Sequence, residues 1–237
     1  MLPDSLIEYL FDGRPHPLAE PLAGWLAESR RFAAFAATFR DKIRKKIRTG
    51  SDAERGLDLL LELETAYLLL GERALSLVYE PKEPGQSRSP DFAVTFTTSL
   101  TFLAEVTRIR PEPPGDDAQA AGQRLAERAA DAVCGKLGQL LPQRSNVLII
   151  GAPAPGPPAD ALRAALLQVQ QRAERNDAAL FQRHHLRDRA DFFQRFQRLS
   201  ELVVRAADGS ALAWVNPQAR HPLPAKARTA LRRSHGL

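Results

Sequence analysis

Two carboxylates set in otherwise neutral, strand-forming sequence are the residues of this chain best suited to chemistry. Asp91 stands at the head of Pro90-Asp91-Phe92-Ala93-Val94-Thr95-Phe96, and Glu105 follows fourteen residues later within Leu103-Ala104-Glu105-Val106-Thr107. Phe92, Val94 and Phe96 alternate with Ala93, Thr95 and Thr97, the period of a strand with one buried face. Thr98-Ser99 reads as a turn and Thr101 to Ile109 as the return strand. In such a hairpin Asp91 sits where the first strand enters the sheet and Glu105 inside the second, so both carboxylates can aim at one spot. Two carboxylates, the Val106 carbonyl and water are the hard oxygen donors that magnesium prefers. A cation held there polarises a phosphoryl oxygen and lowers the pKa of its bound water. The plainer alternative has Asp91 capping a turn and Glu105 paired with an arginine. Against it, Glu105 lies between Ala104 and Val106 in a neutral run, and an unpaired buried carboxylate costs on the order of several kcal/mol.

A third carboxylate is expected from the helix that precedes the strands. Glu62 shares a helical face with Ala66 and Leu69, an odd place for a charge if that face is buried. Glu64 is its rival, on the face of Leu60, Leu61 and Leu68.

These pieces in this order resemble the PD-(D/E)XK nuclease superfamily. Glu62 lies on a helix, Leu75 to Tyr79 forms a strand, Pro90-Asp91 opens the next, and Glu105-Val106-Thr107 lies on the third. A helix over 117–141 and a strand over 147–151 complete the set. The resemblance covers about residues 54 to 151. It implies a restriction-endonuclease-like mixed central sheet flanked by helices, with magnesium or manganese held by Asp91, Glu105 and Val106 and by Glu62 as an outer or water-mediated ligand. It further implies hydrolysis of phosphodiester bonds in DNA or RNA. The chain departs from the superfamily at the motif lysine, where Thr107 stands. A hydroxyl carries no positive charge. Lys136, one of only six lysines, lies on the helix after the third strand, where a displaced lysine can reach the site. Arg108 and Arg110 can hold a phosphate but are poor proton acceptors. The alternative implied by Thr107 is a module of the same fold with a decayed site, binding nucleic acid or a protein partner.

The elements that must position these residues follow from periodicity and breakers. Leu22 to Arg48 reads as one helix, with Trp25, Phe32, Phe35 and Phe39 as a packing stripe. A second helix runs from about Ala53 to Leu70, capped by Ser51 or Asp52 and stopped at Gly71. Pro81 to Pro90 and Pro111 to Gly115 read as loops, and Asp116 or Asp117 caps the helix that Pro142 closes. Asn146-Val-Leu-Ile-Ile-Gly151 is a continuous apolar run, as in a strand buried on both faces. Asp160 is expected to cap a helix to Glu174, and a basic helix follows over 178–199. Strands over 202–205 and 211–215 flank Asp208-Gly209, and one short helix is possible in the tail. The expected organisation is a single α/β domain, with a nuclease-like core at 54–151, a helical N-terminal extension over 1–53, and a basic C-terminal extension over 159–237 carrying helices and a hairpin.

Composition narrows the partners. The chain has 237 residues, 44% of them hydrophobic and 26% charged, which excludes wholesale disorder. No apolar run approaches the ~20 residues of a membrane helix, and the acidic opening MLPDSLIEYLFDGRPH lacks a secretory pattern. A lone cysteine, Cys134, fits a reducing compartment, so a cytoplasmic protein is expected. Residues 161–237 carry 14 Lys/Arg against 6 Asp/Glu, and Arg40 to Arg48 form a second basic cluster. Such surfaces attract polyanions, although Arg-rich composition with abundant alanine accounts for much of the excess. Pro157-Pro158 exclude a phosphate loop after Gly151, and His184-His185 read as a solvated basic face rather than a metal pair. The oligomeric state has no signature in the sequence.

Overall fold

The computed structural model describes residues 3–49, 52–82, 89–112 and 117–237. Gly50, Ser51, Asp116 and most of the two loops expected over 81–90 and 111–115 lie outside them. The chain begins with four helices, α1 (Pro3–Phe11), α2 (Ala19–Glu28), α3 (Arg30–Thr38) and α4 (Arg40–Thr49), followed by the long α5 (Ala53–Gly71). A meander of β1 (Leu75–Tyr79), β2 (Phe92–Phe96) and β3 (Leu100–Arg108) leads through α6 (Ala118–Lys136) and a 3-10 turn (Leu137–Gln139) to β4 (Asn146–Ala152). Then come α7 (Ala159–Glu174), α8 (Ala178–Arg183), α9 (Arg189–Phe196), β5 (Leu199–Ala206), β6 (Ala211–Val215) and α10 (Ala225–Ser234).

Among the described residues the six strands form one sheet in the order β1-β2-β3-β4-β5-β6. The first three pair antiparallel, β3-β4-β5 pair parallel through helical crossovers, and β6 returns antiparallel. Alternation along the central strands sorts the core into two layers. Ala104, Val106, Val147, Ile149 and Val203 face a layer built from α1–α5 and α10. Leu148, Ile150, Leu202 and Val204 face α6–α9. Every residue of β4 is buried, which is why its sequence is a continuous apolar run. The C-terminal stretch is therefore no appendage, because β5 and β6 continue the sheet that β1–β4 begin.

Local chemistry sets the helix boundaries. Asp52 caps α5 by accepting from the Glu54 N–H, and Asp117 caps α6 by accepting from Gln119 and Ala120. The helix expected over 22–48 is broken twice. At Ser29 the backbone is extended and the hydroxyl accepts from the Phe32 N–H, and at Phe39 the chain bends again. These bends wrap an amphipathic segment around the aromatic cluster of Phe35, Phe39, Tyr79 and Phe92. The basic helix expected over 178–199 is likewise two helices joined through His185, which has a positive φ, and Leu199 already belongs to β5. Asp160 lies in the first turn of α7, whose cap position is held by Pro158. The α6 helix ends at Lys136 instead of 141, tightening into the 3-10 turn. The N-terminal α1, whose Leu6, Leu10 and Phe11 are buried along one helical stripe, was not expected.

The helical layer docks through specific contacts. Arg31 of α3 donates to the carbonyls of Leu70, Glu72 and Leu75, tying the end of α5 to the start of β1. Leu61 of α5 lies so close to Gly151 of β4 that a Cβ there would meet its methyl carbon at 2.6 Å. On the same layer, α10 is anchored by the fully buried Glu201, which meets Arg228 at 3.2 Å and Arg232 at 2.8 Å.

Candidate active site

Strand register brings Asp91 and Glu105 to one edge. The last rung of the β2–β3 ladder pairs Phe92 with Ala104, so Asp91 stands one step beyond it, opposite Glu105. In β3 the N–H groups of Leu103 and Ile109 donate toward β4, to Ser145 and Gly151. The even-numbered residues thus turn their main-chain groups toward β2. Val106 lies past the end of that ladder, and its N–H donates instead to Asp91 Oδ2 at 2.7 Å. The Val106 carbonyl lies along the same strand edge, where β2 offers it no rung. The Asp91 backbone is held in turn, its carbonyl accepting from the Glu80 N–H at 2.8 Å.

Glu105 is buried, with 6% of its surface exposed. Ala104 and Val106 pack toward α5, so alternation points Glu105 to the opposite layer, where α6 ends. Lys136, the last residue of α6, places its ammonium 3.6 Å from Glu105 Oε2 and donates to Gln139 Oε1 at 3.0 Å. The lysine singled out from the sequence therefore does meet the glutamate. Thr107 lies half-buried on the same face of β3 as Glu105, and its hydroxyl makes no hydrogen bond among the described residues.

Electrostatics couples the acids. Burial, followed by the charge of Glu62, pushes the Asp91 carboxyl above the ordinary carboxylate range, while the Val106 N–H, Lys136 and Lys46 pull the other way. Burial and then the charge of Asp91 push Glu105 up, opposed by Lys136. Such a pair is under-neutralised, and the repulsion falls when a positive charge enters between them. The donor chemistry fits a hard divalent cation: magnesium is commonly held by one or two carboxylates and keeps several waters. Among the described residues, no group of three or more His, Cys, Asp or Glu side chains is placed to hold a metal ion.

Glu62, rather than Glu64, is the helical carboxylate near the pair, but it is engaged elsewhere. Its Oε2 accepts from the Lys46 ammonium at 2.6 Å and from the buried Tyr79 hydroxyl at 2.5 Å. Burial pushes the Tyr79 phenol up, and Glu62 adds to it. Burial disfavours the Lys46 ammonium, yet Glu62 and Glu80 more than offset this and hold it above the ordinary lysine value. Glu64 faces Arg205 at 3.4 Å, beside the apolar side chains of Leu57, Leu60 and Ile109.

Lys46 is the site-adjacent residue that sequence reasoning missed, since it lies in a basic cluster whose expected role is to attract a polyanion at the surface. The signal was its spacing: Phe35, Phe39, Lys42 and Lys46 form one stripe, and all four contact the Tyr79 ring. Much of that cluster is spent internally. Lys42 donates to the carbonyls of Tyr79 and Glu80, and Arg44 and Arg48 both pair with Asp12. Arg108 meets Glu54 and Asp58, and Arg110 meets Glu54, so these two arginines face α5 rather than Asp91. In the basic C-terminal stretch, Arg183 pairs with Asp131, and Arg187 and Arg195 pair with Asp191. His184 lies 3.0 Å from Asp131 and His185 turns away at a positive φ. Burial pushes the Cys134 thiol up to about 12, and an inert core thiol of that kind is no nucleophile.

Comparison with protein-family models, with curated proteins and with solved structures returns no match. Among the described residues, no helix is long and apolar enough to cross a membrane.

Proposed function

We propose that the chain is a divergent metal-dependent nuclease of the restriction-endonuclease-like type, hydrolysing phosphodiester bonds in DNA or RNA. The observation that carries this reading is the convergence of Asp91 and Glu105 at the point where the β2–β3 ladder stops, with the Val106 main chain between them. The order α5-β1-β2-β3-α6-β4, with a parallel β3–β4 pair reached through α6, is the order the superfamily resemblance calls for. Asp91, Glu105 and the Val106 carbonyl would hold magnesium or manganese. The ion would supply charge neutralisation at a phosphoryl oxygen and a more acidic bound water.

The chain's own residues supply the rest. Asp91 is fixed by the Val106 N–H, so its carboxylate is pre-set rather than mobile. Lys136 takes the place of the missing motif lysine: its ammonium sits beside Glu105 and can donate to a phosphate oxygen or to the attacking water. Thr107 offers a hydroxyl donor but no charge. Burial around Glu105 excludes bulk water and strengthens each of these interactions.

The test is cleavage of a plasmid or labelled oligonucleotide with added magnesium or manganese. Wild-type chain cuts, and Asp91→Ala or Glu105→Ala removes cutting while leaving the circular dichroism spectrum unchanged. Cleavage that survives in both variants overturns the assignment. A decayed site that only binds nucleic acid is the second reading, favoured by Thr107 and by the engagement of Glu105 with Lys136. It requires retained binding without metal-dependent cutting.

A further inference from the structure

Glu62 is the carboxylate that a three-ligand cation centre would recruit, yet its contacts commit it elsewhere. Both its hydrogen bonds fall on Oε2, from an ammonium at 2.6 Å and a phenol at 2.5 Å. The ammonium belongs to Lys46 of α4, an element of the N-terminal helical layer that lies before the core resembling the nuclease superfamily. Lys46 is also 2.8 Å from Glu80 Oε1 and stands over the Tyr79 ring, 4.8 Å from its centroid. One helical turn earlier, Lys42 donates to the carbonyls of Tyr79 and Glu80, at 2.9 and 3.1 Å, and so fixes the end of β1 on which these groups sit.

We propose that Lys46 is a positioning residue that withholds Glu62 from the metal, making Asp91 and Glu105 a two-carboxylate, single-ion centre. An ammonium and a divalent cation compete for the same carboxylate. Glu62 Oε1 accepts no hydrogen bond among the described residues, but the carboxylate is not placed there with Asp91 and Glu105 as a three-acid metal group. To reach the ion it would have to move and give up a charge-assisted hydrogen bond, among the stronger kinds in proteins. It would also strand the Tyr79 hydroxyl, which is fully buried and has no other partner among the described residues. The displaced ammonium would then face a doubly charged ion across a short distance. The absence of any three-carboxylate group placed for a metal among the described residues agrees with this. Two lysines thus bracket the centre from opposite layers of the sheet: Lys136 on Glu105 and Lys46 on Glu62.

This inference rests on the metal-dependent reading, and calorimetric titration of manganese chloride into the full chain separates the two. Wild type is expected to bind one manganese per chain. Lys46→Met frees Glu62 and should tighten binding about tenfold, the scale typical of groups adjoining metal ligands. Lys46→Arg, which keeps the charge and the contact, should match wild type. Removing a positive charge also favours a cation through space, so the effect is read as a cycle with Glu62→Gln. The gain must vanish when Lys46→Met is made in the Glu62→Gln background. Unchanged or weaker binding in Lys46→Met, the same gain without Glu62, or two ions in wild type overturns the inference and leaves the nuclease reading standing. No saturable binding by wild type overturns the metal reading itself. If Lys46→Met does not fold, by thermal melt and near-ultraviolet dichroism, Lys46→Gln takes its place with the same expected gain.

Discussion

Glu105→Gln should make the metal-free chain more stable, not less. Glu105 is buried, and both burial and Asp91 disfavour its charged form, with Lys136 repaying only part of the cost. Each unit by which a folded-state carboxyl rises corresponds to about 1.4 kcal/mol between its protonation states. Replacing the glutamate by a neutral amide of the same shape should therefore recover roughly 1–2 kcal/mol near pH 8. The orphaned Lys136 ammonium keeps Gln139 and some solvent access, which limits the offsetting loss. For a chain of this size the gain is a rise of roughly 2–8 °C in Tm. The sign of the pH dependence follows from the raised value. Between the unfolded and folded titrations the folded chain holds the extra proton, so wild-type stability falls as pH rises through the folded value. The gap between variant and wild type should accordingly be widest near pH 8 and shrink toward about pH 5, where wild type carries the proton itself. Thermal melts in chelator across that range measure it. Added magnesium should then stabilise wild type and leave Glu105→Gln unmoved. A variant less stable than wild type at pH 8, or a gap that does not change with pH, would refute the reasoning.

Two further substitutions test the packing that holds the site in place. Gly151→Ala forces a Cβ against Leu61 at 2.6 Å and should cost about 1–3 kcal/mol by overpacking, read from the urea midpoint, with Leu61→Ala in the same chain restoring part of it. Glu201→Ala empties a fully buried position and removes the group that Arg228 and Arg232 meet, so amide exchange should quicken first in α10; equal protection there in both proteins would show that the pair does not anchor the helix.

How much of this was legible beforehand depends on the range of the interactions involved. The hairpin was readable because its signals are local: aromatic and β-branched alternation over 92–96 and a turn at Thr98-Ser99 fix the register within a few residues. Once that register is set, Asp91 and Glu105 must face each other. The buried run 146–151 was readable for a related reason, since a strand covered on both faces has no room for polar residues. Asp52 and Asp117 announced their helices through hydrogen bonds to main-chain groups two or three residues away. The break at Phe39 was not announced, because the apolar stripe continues through it, whereas Ser29 carries a capping signal of the same local kind, its hydroxyl accepting from the Phe32 N–H, that the stripe running through it hides.

The sequence by itself determined the local elements, the pairing that sets two acids side by side, and a candidate lysine on the following helix. Tertiary structure alone decided which partners arrive from a distance. It turned Lys46 inward across sixteen residues to Glu62, sent Glu64 to Arg205, spent Arg108 on α5, and joined β5 and β6 to the same sheet as β1. The reason is physical. Periodicity reports which face of an element is buried, but the choice of ionic partner depends on how the layers pack, and long basic side chains look alike in a sequence whether they end in water or against a buried carboxylate.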